Sequence, residues 1–106
     1  MIDITQKSPT LRIATATAIV KVGSKNTISL IKDNKVPKGN VFEMAKTAGL
    51  FAVKKTAELI PDCHPMPIES TSINFDIEDL TIIINVIVKT IYKTGVEVEA
   101  MHGASV

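Results

Sequence analysis

Tryptophan is absent from this 106-residue chain, cysteine occurs once, and the aromatic complement is one Tyr and three Phe. A single Cys excludes an internal disulfide, so the fold must hold without a covalent staple. So few aromatics give no platform for stacking successive bases, and a net charge of +1 is far from the strongly basic balance of nucleic-acid modules. Extended nucleic acid is therefore not an expected partner. No apolar run approaches the roughly 20 residues of a membrane span. Residues 1–20 show neither a basic start followed by an apolar core nor a small-residue cleavage site. The chain reads as cytoplasmic and soluble, with no membrane partner.

What is present is a globular composition, 45% hydrophobic and 22% charged, whose core must rest on Ile, Val, Ala and Leu. The length fits one domain spanning residues 1–106. The charge is split along the chain. Residues 21–55 carry eight Lys against Asp33 and Glu43, whereas residues 56–106 carry Lys89 and Lys93 against eight acids. Folding either interleaves the two halves into a neutral surface or gathers lysines around a pocket for a polyanion such as a triphosphate.

Arg12 to Val22 alternates roughly, with Ala14, Ala16 and Ala18 forming a small face, and reads as a strand beneath a helix. Ser24 is placed to cap a short helix through Ile31, and Asp33-Asn34 supplies turn chemistry. Pro37 and Gly39 make Val36 to Gly39 a loop that displays Lys38. Asn40 with Glu43 resembles a capping box for a helix expected to run to about Ile60, where Pro61 stops it. On that helix Lys46 and Lys54 lie within about 80° of each other, while Lys54 and Lys55 point about 100° apart. Thr71 to Glu78 alternates cleanly, with Ile73, Phe75 and Ile77 on one side. A turn at Asp79-Leu80 leads into a β-branched strand, Thr81 to Tyr92, that is expected to be central. Strand, helices, strand, strand and an incipient helix give an α+β class and the start of a ferredoxin-like sandwich without its closing strand.

Four stretches carry chemistry in a recognisable order: Met1-Ile2-Asp3-Ile4-Thr5 with Lys7 and Arg12; Lys38-Gly39-Asn40-Val41-Phe42; Ile60-Pro61-Asp62-Cys63-His64-Pro65; and Thr94-Gly95-Val96-Glu97-Val98-Glu99-Ala100. Together they resemble the cyclic pyranopterin monophosphate synthase family, also called molybdenum cofactor biosynthesis protein C, over nearly the whole chain. The resemblance implies a lyase that converts cyclised dihydro-GTP to cyclic pyranopterin monophosphate with release of pyrophosphate. It also implies a ferredoxin-like fold and a hexamer built from dimers, with active sites where subunits meet. Such a reaction needs cations for the phosphates, a positioned acid and base, and directional hydrogen bonds to the ring.

On that resemblance Lys38 is the candidate for a phosphate-side or acid/base group, against the alternative of a solvated loop lysine. Lys54 is the member of the Lys54-Lys55 pair expected near phosphate, with surface solvation as its alternative. His64 can bridge a phosphate or move a proton near neutral pH, or be a structural histidine. Asp62, Cys63 and His64 match one substrate-contacting stretch, although Asp62 departs from the apolar residue usual there. Val98 and Glu99 match the other. Glu99 can accept from a guanine-like N–H edge in bidentate fashion. Glu97 pairs with it in sequence, the two sharing a face if extended and diverging by about 200° if helical. One Cys and two His are too few soft ligands for a closed metal site, and no cofactor is expected. His102 reads as a surface histidine.

Beyond the stretch matching Ala104-Ser105-Val106, the family continues to an Asp and a Lys that are its main catalytic groups. A truncated domain that keeps the substrate-binding half is therefore expected. The alternatives are a catalytically silent nucleotide-binding homologue and a ferredoxin-like interaction module without the chemistry.

Overall fold

A computed structural model describes residues 1–106. The elements follow as β1 (Thr10–Lys21), α1 (Lys25–Lys32), α2 (Val41–Lys54), α3 (Thr56–Leu59), β2 (Ser70–Glu78), β3 (Thr81–Tyr92) and α4 (Glu97–Ser105). The three strands form one antiparallel sheet in the order β1-β3-β2, so the β-branched β3 is the central strand. β1 pairs with β3 along its whole length, from Thr10 opposite Tyr92 to Lys21 opposite Thr81. β2 pairs with β3 from Ser70 opposite Lys89 to Glu78 opposite Thr81. β1 and β2 therefore run in the same direction with β3 inserted between them, an α+β arrangement.

Local chemistry sets the boundaries. Ser24 caps α1 by accepting from the Asn26 amide at 3.1 Å, and Asn40 caps α2 by accepting from the Glu43 amide at 3.0 Å. Gly39, at φ +106°, takes a backbone conformation that side chains rarely adopt. Asp79, at φ +53°, turns the chain between β2 and β3. Asn and Asp tolerate this left-handed region better than most residues.

One expectation is corrected. The helix from Asn40 does not continue to about Ile60; it ends at Lys54, and Lys55 breaks it at φ −111°, ψ 12°. The buried Thr56 hydroxyl bonds back to the carbonyls of Ala52 at 2.9 Å and Val53 at 3.2 Å. That local competitor for the helix ladder acts five residues before Pro61 does.

One face of the sheet is covered. α4 lies over β1 and β3, and α2 packs against α4 and β2. The core beneath joins Ala14, Ile73, Val86 and Val88 from the strands with Val53, Val96, Ala100 and Ala104 from the helical layer. α2 and α4 meet at glycines. A Cβ on Gly103 would come within 2.6 Å of Val53 Cγ2, and one on Gly49 within 3.1 Å of the Gly103 carbonyl oxygen. This close approach fixes the last turn of α4 against the second half of α2. The other face of the sheet is bare and leaves Leu11, Ile13, Ile19 and Ile91 exposed. No helix is long and apolar enough to cross a membrane.

Candidate functional site

Three chain segments converge at one end of the helix layer. The first turn of α4 brings Glu97, Val98 and Glu99; the loop after α3 brings Asp62, Cys63 and His64; the segment before β1 brings Ile2, Asp3, Ile4 and Lys7. Together they line a pocket of about 440 Å³. Six of the residues singled out from sequence thus share one wall, although they are up to 37 positions apart.

The helical conformation of residues 97–99 separates the two glutamates. Glu97 is exposed, its carboxylate folded against Gly95. Glu99 is 3% exposed. Burial raises its carboxyl above the usual range, and the nearby Glu97 charge adds to that. Its own amide and His102 pull the other way. No lysine or arginine pairs with Glu99, so no cationic side chain of that kind offsets the burial of its carboxyl.

Burial likewise raises the Cys63 thiol, assisted by the carboxylates of Glu99 and Asp62. A raised thiol is a poorer nucleophile at neutral pH than an ordinary one. Asp62 is exposed and pairs with the terminal ammonium at 3.2 Å. Asp3 is lowered by hydrogen bonds from Thr5, whose amide lies 2.9 Å from its Oδ1. Acids outnumber cations in this pocket: Asp3, Asp62, Glu97 and Glu99 face Lys7 and the terminal ammonium of Met1. No three His, Cys, Asp or Glu side chains converge as a metal cage would require.

His64 donates from Nε2 to the Ile2 carbonyl at 2.6 Å, because a carbonyl can only accept. Together with Met66 and Glu99, it divides the main pocket from a smaller cavity of about 120 Å³, which Lys54 borders. Lys55 points elsewhere and pairs with Glu58 at 3.6 Å. Lys46 and Lys54 do share a cavity on the outer side of α2. Lys38 is exposed on its loop and borders none of these cavities, so the main pocket of one chain does not include it.

His102 is corrected from a surface residue to a half-buried one, its Nδ1 3.1 Å from the Thr56 hydroxyl. That hydroxyl donates to the α2 carbonyls, so the imidazole donates to it. His102 thus pins α4 to the break after α2. Lys7, Thr94 and Met66 line the main pocket without having been singled out as site residues. Lys7 and Thr94 lay within the recognised stretches, whereas Met66 carried no signal beyond following His64-Pro65.

A family model described as the MoaC family matches residues 1–106. The chain is 46% identical to the probable cyclic pyranopterin monophosphate synthase of Saccharolobus solfataricus, over all of this chain and 70% of that protein. It is 48% identical to a protein of the same name from Archaeoglobus fulgidus, over all of this chain and 67% of that protein. Against the cyclic pyranopterin monophosphate synthase of Clostridium perfringens strain SM101 the identity is 46%, over all of this chain and 68% of the relative.

Proposed function

This chain belongs to the MoaC family, and from that premise we propose that it serves molybdenum cofactor biosynthesis as a cyclic pyranopterin monophosphate synthase. The reaction is a lyase conversion of cyclised dihydro-GTP to cyclic pyranopterin monophosphate with release of pyrophosphate. The observation that carries the reading is the meeting of the Asp62-Cys63-His64 loop with the Glu97-Val98-Glu99 turn on one pocket.

The electrostatics divide the labour. An acid-lined pocket repels a triphosphate and suits the donor-rich edge of a guanine-like ring. Glu99, buried and without a cation, is the acceptor for that edge. Asp62, Cys63, His64, Val98 and Glu97 form the rest of its wall. Ring donors reaching Glu99 would replace the hydration lost on burial and restore its ionised form. The phosphate tail then runs toward lysine. Lys54 is the candidate on the far side of the His64–Glu99 partition, and Lys38 comes from a neighbouring copy.

An oligomer is therefore part of the proposal: a hexamer built from dimers with shared sites, for which the bare apolar face of the sheet offers packing surface. Residues 1–106 are read as one domain of ferredoxin-like type, supported by the order β1-β3-β2 with β1 and β2 parallel. A cytoplasmic location and the absence of a cofactor complete the reading.

The test is direct. The protein is titrated with cyclised dihydro-GTP by calorimetry, and released pyrophosphate is assayed in the same samples. Saturable binding is expected of residues 1–106, with pyrophosphate release from a chain that also carries the family's later Asp and Lys, and failure to bind the nucleotide would overturn the proposal. Light scattering tests the assembly, and a stable monomer would remove the shared site.

A further inference from the structure

The first seven residues do something that burial of their side chains does not explain. Ile2 is 79% exposed, so its side chain contributes little by packing. Its main chain is nevertheless held in place. Asp3 accepts from the Thr5 amide at 2.9 Å, Lys7 donates its amide to Ile4 at 3.0 Å, and Lys93 Nζ reaches the Thr5 carbonyl at 3.4 Å. The result is a folded segment whose Ile2 carbonyl lies 2.6 Å from Nε2 of His64. His64 makes no other side-chain hydrogen bond in the chain.

A neutral imidazole carries one N–H, and the partner of one nitrogen decides the state of the other. With Nε2–H committed to Ile2, the lone pair is at Nδ1. We propose that the main-chain carbonyl of Ile2 is a positioning group for His64, which leaves Nδ1 as the nitrogen that accepts from the bound nucleotide. His64 then receives a hydrogen bond, or a proton, from a substrate N–H or O–H at Nδ1. The proton that arrives makes an imidazolium whose Nε2–H stays on the carbonyl, and its departure restores the starting ring. Bridging a phosphate from neutral His64 is excluded by the same geometry, because its only donor is already used. This assignment deepens the synthase reading and rests on it for the identity of the nucleotide.

The first test needs no substrate. In the full chain with nitrogen-15-labelled histidine, at a pH where imidazole is neutral, His64 should show a slowly exchanging Nε2–H and an unprotonated Nδ1. Deleting Met1 to Asp3 removes the carbonyl while leaving the buried core intact, and should abolish that slow exchange. Asp3→Asn keeps an acceptor for Thr5 and should retain it. The second test uses cyclised dihydro-GTP. His64→Asn keeps an acceptor near the Nδ1 position and should bind roughly ten-fold more tightly than His64→Gln, which mimics Nε2 instead. A proton on Nδ1, exchange unaltered by the deletion, or tighter binding by His64→Gln would each overturn the assignment. Failure of the unsubstituted protein to bind cyclised dihydro-GTP, with the expected nitrogen signals, would instead count against the synthase reading alone.

Discussion

The pocket end of the molecule and the lysine-bearing stretch from Lys38 to Lys54 are opposites. The first gathers acids, one of them buried and unpaired, inside a concave wall built from three segments. The second displays exposed lysines on a loop and along α2, of which only Lys54 touches the partition of the pocket. Folding thus keeps the acids of the pocket apart from Lys38 and Lys46, although Lys55 pairs with Glu58 across the division of the chain. On the proposed function, a single chain suits the ring better than the phosphate tail, and assembly would bring the cations to the acids. The strongest way to break this comparison is to damage each region in a different copy. In a chain that also carries the family's later Asp and Lys, Lys38→Ala and Glu99→Gln should each lower kcat/KM by about 100-fold or more, a deficit of about 2.7 kcal/mol. Mixing the two variants and letting subunits exchange should restore part of the activity, since some sites then combine an intact Lys38 with an intact Glu99. A mixture no better than its components would place Lys38 in the site of its own chain, or in none.

The next test pries the regions apart physically, because α2 carries the lysines and α4 the acids, and the two meet at Gly49 and Gly103. Gly103→Ala gains helix propensity of about 1 kcal/mol. Its new methyl, however, would come within 2.6 Å of Val53 Cγ2, and Val53 is 1% exposed with nowhere to turn. Overpacking of this kind costs about 1–3 kcal/mol. The β-branched, fully buried neighbour puts the net effect on the destabilising side, and calorimetry should show a lower melting temperature than wild type.

These contrasts show what the sequence made legible. The alternation of Ile73, Phe75 and Ile77 and the caps at Ser24 and Asn40 are local signals, and the structure reproduces them because nothing distant overrules them. The break at Lys55 was hidden because its determinant, Thr56, draws on His102 from 46 residues away. Periodicity marked the small alanine face of β1 that packs beneath the helices, but not that the opposite face of the sheet would remain bare. At the site, the recognised stretches identified the walls contributed by residues 62–64 and 97–99. Helical geometry then decided between Glu97 and Glu99 by burying only the latter. The role of Ile2 had no signal in sequence at all, because a backbone carbonyl is the same in every residue.

Glu99 sharpens the comparison through pH. Its folded-state carboxyl is raised by burial, so the stability it contributes is fully present below the unfolded value of 4.5 and is lost as pH rises through the folded value. Glu99→Gln cannot ionise. At neutral pH it should melt a few degrees higher than wild type, and the difference should vanish as pH falls below 4.5. A gap independent of pH would mean that the ionised carboxylate is solvated or paired within the folded chain.

The smallest effect separates neighbours on the basic side. Lys54 borders the cavity behind His64 and Glu99, whereas Lys55 makes an exposed pair with Glu58 at 3.6 Å. Exposed pairs of this kind contribute about 0.2–1 kcal/mol at most, and salt screens them. Lys55→Ala should therefore shift stability by less than about 0.5 kcal/mol and leave nucleotide affinity where it was. Lys54→Ala should weaken affinity for the cyclised nucleotide several-fold, with the loss shrinking as salt is raised, because what it removes is attraction to phosphate. Equal affinities for the two variants would detach α2 from the phosphate path and leave Lys38 of a neighbouring copy as the cation to be tested.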